Sequence, residues 1–185
     1  MPKKLLEPQT ILFPLPAVMV SCQRKDERPN IITLAWVGVV CSEPPMVGIA
    51  IRKNRFSYGI IKESREFVIN VPTQKLLKAT DFCGTKSGKK VDKFAEAKLT
   101  AIKGSKVNAP LIAECPVNLE CVVKEILELG SHDLFIAEIV ATHVDSECLD
   151  NKGKPDVGKM NLFCYCPTAH EYRAVSEVLG KYGSA

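Results

Sequence analysis

The sequence predicts a mainly β fold: a β-barrel decorated with short helices, built as a single domain over residues 1–185. Three observations lead there. The apolar segments are short and rich in Val and Ile, which is strand composition. Polar turn residues separate them, as at Arg24–Pro29, Ser42–Pro45 and Gly130–Asp133. The chain has 185 residues, enough to bury one core without staples and short for two.

The elements follow in order. Ala17–Gln23 and Asn30–Val40 flank the polar loop Arg24–Pro29 and read as a hairpin. Met46–Arg52 is a third strand and Glu66–Val71 a fourth. Val117–Leu129 and Leu134–Val144 are long strands around a tight turn, Gly130-Ser131-His132-Asp133. The run Ile31–Cys41 lacks polar alternation, which predicts a strand covered on both faces or a barrel wall closed by a partner subunit. Helices are expected at Phe56–Ser64, at Thr73–Phe82 with Thr73 as N-cap, and from Thr168 to Leu179.

Composition narrows the function classes. Hydrophobic residues make up 46% and charged residues 25%, the values of an ordinary globular protein. The formal charge of +4 is too small for a protein that wraps nucleic acid. The run Ile31–Cys41 falls far short of the ~20 residues of a membrane span. Glu7 and Pro8 interrupt the opening MPKKLLEP before an apolar signal segment forms. The eight cysteines form no CxxC, and most sit among apolar neighbours. Reduced thiols in a cytoplasmic protein are therefore expected.

Four places can carry chemistry. Arg52-Lys53-Asn54-Arg55 puts three cations between a strand and a short helix that begins Phe56-Ser57. Cations at a helix N-terminus make a phosphate seat, although a solvated turn has the same look. Gly84–Phe94 holds four lysines and two glycines; it lacks the spacing of a nucleoside-triphosphate loop and reads as an exposed basic loop or a wrap for an anion. Asn30–Trp36 holds the only tryptophan, a core residue or the neighbour of a planar ligand. His132, in the turn, is available as a donor or acid, whereas His143 reads as structural. Cys164, Cys166 and His170 are too few for a zinc site, and no metal is expected. No GxSxG, HExxH or GxGxxG is present, so hydrolysis and a Rossmann domain are poorly supported.

In chain order, Pro16–Ser21, Asn30–Trp36, Ser42–Val47, Ile51–Ser57, Glu66–Pro72, Ser87–Phe94, Glu114–Val117 and Gly130–Ile136 together resemble the flavin reductase-like family, in its flavoredoxin branch. The resemblance covers about residues 10–165. It implies an FMN-binding split barrel that holds FMN non-covalently and works as a homodimer. On that pattern Asn30, Thr33, Leu34, Ala35 and Trp36 run along the flavin, and Cys41 and Ser42 approach it. Arg52, Arg55 and Ser57 hold its phosphate, Lys89, Lys90 and Asp92 close over it, and His132 faces the nicotinamide or acceptor side. Ser87-Gly88-Lys89-Lys90 stands where relatives often carry Ser-Gly-Arg, and Ala137 where they often carry Gly. The implied activity is an oxidoreductase that takes electrons from NAD(P)H and passes them to a small-molecule redox substrate or a redox partner protein. The alternative is an FMN-bound electron carrier without NAD(P)H turnover.

Overall fold

The computed structural model describes residues 1–184. Its first strands are β1 (Leu15–Pro16), β2 (Val18–Cys22), β3 (Asn30–Leu34), β4 (Val37–Ser42) and β5 (Pro45–Arg52). Helix α1 (Phe56–Ser64) and strand β6 (Glu66–Val71) come next. A 3₁₀ turn (Gln74–Leu76) leads into α2 (Leu77–Thr85), followed by α3 (Lys93–Glu96). Two short strands, β7 (Ala101–Ile102) and β8 (Leu111–Ile112), precede the long pair β9 (Val117–Glu128) and β10 (His132–Val144). The chain continues through α4 (Val157–Met160) to the hairpin β11 (Phe163–Cys166) and β12 (Glu171–Ala174).

Seven strands form one antiparallel sheet in the order β3-β2-β6-β9-β10-β5-β4. Its inward positions alternate as a barrel wall requires. Val18, Val20 and Cys22 of β2, Val47, Ile49 and Ile51 of β5, and Phe67 and Ile69 of β6 meet Cys121, Val123, Phe135 and Ala137 of the long pair in one core. Ile60 and Ile61 of α1 join the same core. Register shifts at Ile136/Ala137 and Ile139/Ala141 interrupt the β9–β10 ladder, and such bulges bend a sheet toward closure.

The end strands β3 and β4 are consecutive in the chain, linked by Ala35-Trp36, and they do not pair with each other. The barrel is therefore split at that link. Outside it, β2 and β3 carry a second layer in which Met19 and Ile31 pack on Cys83, Phe94, Ile112 and Cys115. Burial on both faces explains why VMVSC has no polar alternation.

Four expectations are corrected. The apolar run Ile31–Cys41 is two strands rather than one, because Ala35-Trp36 turns out of the ladder. Its second half, β4, is mostly exposed, with Val39 at 76%. His132 is not in the turn: it opens β10 and pairs across the sheet with Arg52. Thr73 makes no capping hydrogen bond, and the α-helix begins four residues later. The expected helix over Thr168–Leu179 does not form: a turn leads into the short strand β12 at Glu171–Ala174, where Tyr172 pairs with Tyr165 of β11, and the described residues beyond it form no helix or strand; β11 in turn pairs with β1.

Candidate functional site

Two adjoining cavities open at the split. The first, about 170 Å³, is lined by Ile32–Trp36 from β3 and its link, Ala50 and Arg52 from β5, and Arg55, Gly84 and His132. The second, about 200 Å³, is lined by Asn30, Asn54–Ser57, Lys86, Ser87, Gly88 and Lys93 among others. Ile32, Arg55 and Gly84 belong to both, so the two form one bent recess around Arg55.

Its electrostatics follow from what the cations lack. Of the three in Arg52-Lys53-Asn54-Arg55, Lys53 turns away to Glu128 (3.3 Å) and the buried Asp133 (3.4 Å). Arg52 and Arg55 form no salt bridge among the described residues, and both line the recess. Arg55 is also the N-cap of α1, with extended backbone and no side-chain acceptor for the first-turn N–H groups. An arginine at a position that favours Ser, Thr, Asp or Asn leaves a positive helix end unanswered, and the first turn of α1 has no acidic residue. The recess therefore carries positive charge that no acid among the described residues balances.

Neighbouring contacts fix its shape. Buried Asn30 donates through Nδ2 to Ser57 Oγ at 2.7 Å. Gly88 packs so closely that a Cβ there would stand 2.0 Å from Asn30 Oδ1. Gly84 lies against Thr33, whose Oγ1 donates to the Thr80 carbonyl at 2.5 Å. Buried Lys93 donates through Nζ to the carbonyls of Ile31 and Cys83, each at 2.6 Å, and so ties β3 to α2. Burial first, and then Arg55, pull the Lys93 pKa down, against the opposite pull of Cys83 and Cys22.

At the lip, Trp36 and His132 stack with ring centroids 4.3 Å apart and planes tilted 44°. Ser131 Oγ lies 2.8 Å from His132 Nδ1. Burial, followed by the charges of Arg52 and Arg55, lowers the His132 pKa below its ordinary value. The imidazole is thus kept neutral at neutral pH.

Comparison with known proteins supplies the family. Residues 11–164 match the flavin reductase-like domain. The chain belongs to the flavin reductase-like family. The structure of the flavoredoxin of Desulfovibrio vulgaris (Miyazaki F) superposes on this family member with a TM-score of 0.93 at 37% identity, covering 99% of this chain and 98% of that one. The flavoredoxin of Methanosarcina acetivorans gives 0.91 at 32% identity, covering 98% and 96%. An uncharacterised protein of Archaeoglobus fulgidus is 42% identical over 132 residues, 71% of this chain and 73% of its own length.

Within this flavin reductase-like chain, the structure gathers Asn30, Thr33, Leu34, Ala35, Trp36, Arg52, Arg55, Ser57 and His132 around the recess. Other expected residues lie elsewhere. Cys41 and Ser42 are at the end of β4, where Cys41 Sγ faces the Glu43 carbonyl, and they line neither cavity. The basic loop reaches the recess through Lys86, Ser87 and Gly88, whereas Lys89 and Lys90 point to solvent. Asp92 caps α3 by accepting from Ala95 N and pairs with Arg28 at 3.7 Å. Sequence reasoning missed Lys93 and Asn54 as lining residues. The signal for Lys93 was only that it precedes Phe94 in a basic loop.

Proposed function

We propose that this protein is an FMN-dependent oxidoreductase. One observation carries the reading: the two unpaired arginines and the uncapped N-terminus of α1 converge on a recess continuous with a slot along β3. The residues suit FMN chemically. Arg52, Arg55 and Ser57, with Lys86 and Ser87 from the loop, would hold the doubly charged phosphate, for which an arginine fork is well matched. Thr33–Trp36 would lie along the ring system, with backbone groups of that link available for its polar edge. Bound there, FMN supplies hydride and single-electron chemistry that no side chain offers.

The protein's own residues bind, orient and shield. Gly88 and Asn30 hold the loop against the phosphate seat, and Lys93 keeps β3 in place behind it. His132, neutral and held through Ser131, faces the open side and would orient the electron donor by hydrogen bonding. The donor proposed is NAD(P)H. The exposed valines of β4 support a homodimer in which a second copy covers that strand, since a bare apolar edge invites pairing. A second reading, an electron carrier without nicotinamide turnover, draws support from the likeness to two flavoredoxins.

One experiment separates the readings. FMN-loaded protein is mixed anaerobically with NADH or NADPH and the flavin absorbance is followed. Bleaching by either nucleotide is the expected result. A flavin that stays oxidised with both would leave the carrier.

A further inference from the structure

We propose that an adjoining pocket, formed by the β11–β12 hairpin against α2, binds a small uncharged aromatic ring bearing hydroxyl groups, of the catechol or hydroquinone class. The pocket encloses about 360 Å³ and shares Thr33, Ala35 and Gly84 with the recess described above. It therefore adjoins the flavin seat proposed there, and its redox significance rests on that reading.

The lining selects the class. Tyr165 and Tyr172 stand with ring centroids 5.3 Å apart and planes tilted 49°, two faces suited to a third ring. Their polar ends are fixed. Tyr172 donates to Asp81 Oδ1 at 3.1 Å, and Tyr165 Oη lies 3.2 Å from His170 Nδ1. His170 sits at φ +54° in the hairpin turn, a conformation uncommon for a residue other than glycine. Thr33 and Thr85 spend their hydroxyl protons on the Thr80 and Asp81 carbonyls.

What remains is an acceptor surface. Asp81 keeps a second carboxylate oxygen, and no Lys or Arg lines the pocket. An anionic ligand meets repulsion there with no compensating cation, the reverse of the Arg52–Arg55 recess. An aromatic ring with its own O–H donors satisfies Asp81 and stacks on tyrosine at once. A volume of this size admits a one- or two-ring molecule. Cys164 and Cys166 alternate onto the opposite face of β11 and take no part.

Isothermal titration of FMN-saturated protein with catechol and, separately, with benzoate tests the proposal. The expected result is one saturable catechol site, with benzoate at least tenfold weaker. Asp81→Asn is expected to weaken catechol at least tenfold while strengthening benzoate, an opposite pair of changes that a folding defect cannot produce. Tyr165→Phe is expected to weaken catechol severalfold. Catechol affinity unchanged in both variants would overturn the proposal. So would one-for-one displacement of catechol when FMN is added to the apoprotein, because the two ligands would then share one site. Failure of the protein to bind FMN would leave the apoprotein's catechol titration readable, so the flavin reading and this one fail separately.

Discussion

Two clusters of charge, both organised by loops against the barrel, answer the same physical problem in opposite ways. At one, the fully buried carboxylate of Glu120 on β9 accepts from the backbone N–H groups of Ser105, Lys106 and Val107, from Ser105 Oγ, and meets His143 Nε2 at 2.6 Å. Gly104 permits the wrap, since a Cβ there would stand 2.6 Å from the Val107 carbonyl. At the other, Arg52, Arg55 and the end of α1 gather positive charge with no acid among the described residues to answer it. The first cluster is an anion site filled by the chain itself and holds the fold together. The second, on the function proposed above, is an anion site left for a guest. Concentrated charge thus marks function only where its counter-charge is missing.

Removing the internal anion should produce the largest effect of all on stability. Glu120→Ala strands three backbone N–H groups, and chemical denaturation should record a loss of about 3–5 kcal/mol. The same cluster predicts an acid limb. Burial by itself would raise the Glu120 pKa, but hydrogen bonds from Ser105 and His143 and from backbone N–H groups hold it at about 2, below an ordinary value of 4.5. Its contribution is therefore complete above about pH 4.5 and is lost as pH falls toward 2. An unfolding-versus-pH series in Glu120→Gln should lack that limb.

Emptying the second cluster should leave the fold and remove the guest. Arg52→Ala with Arg55→Ala is expected to weaken FMN at least about a hundredfold, at roughly 1.5 kcal/mol or more for each charge-assisted contact, measured by quenching of FMN fluorescence. Denaturation midpoints should stay unchanged or rise, since two like charges disappear. A midpoint that falls as far as in Glu120→Ala would erase the distinction between the clusters. Gly88→Ala tests the shape rather than the charge of the recess. Its Cβ cannot coexist with Asn30 in place, so FMN affinity should fall about tenfold, a loss on the scale of ~1.4 kcal/mol. The smallest effect belongs to His132. Its proton resonances should titrate below the ordinary histidine value in the free protein, and the midpoint should move up in Arg52→Ala or when phosphate neutralises the pair.

The same contrast explains what the sequence made legible. Three cations in Arg52–Arg55 are adjacent in the chain, so the guest site announced itself, and Glu66–Val71 could be bounded by its β-branched run. Glu120 did not announce itself: it sits at an unremarkable place in a strand, and its partners arrive from a loop some fifteen residues earlier. Lys93 was hidden for the same reason, because its two carbonyl acceptors belong to β3 and α2. The segment after Thr168 looked helical because nothing local opposes a helix. What decides it is the pairing of Tyr172 with Tyr165, a contact between strands that composition does not encode. Lys86, Lys89 and Lys90 are alike as exposed basic residues of one loop, and only the fold shows that Lys86 alone of the three lines the recess.

The Trp36–His132 stack has a practical consequence. Trp36 is the single tryptophan of the chain, 40% exposed at the mouth of the recess. The indole emission of this protein therefore comes from one place, and that place is the doorway. Each arrival at the recess and each proton taken up by the imidazole against it should change the colour or brightness of that emission, making the unlabelled chain its own gauge of occupancy.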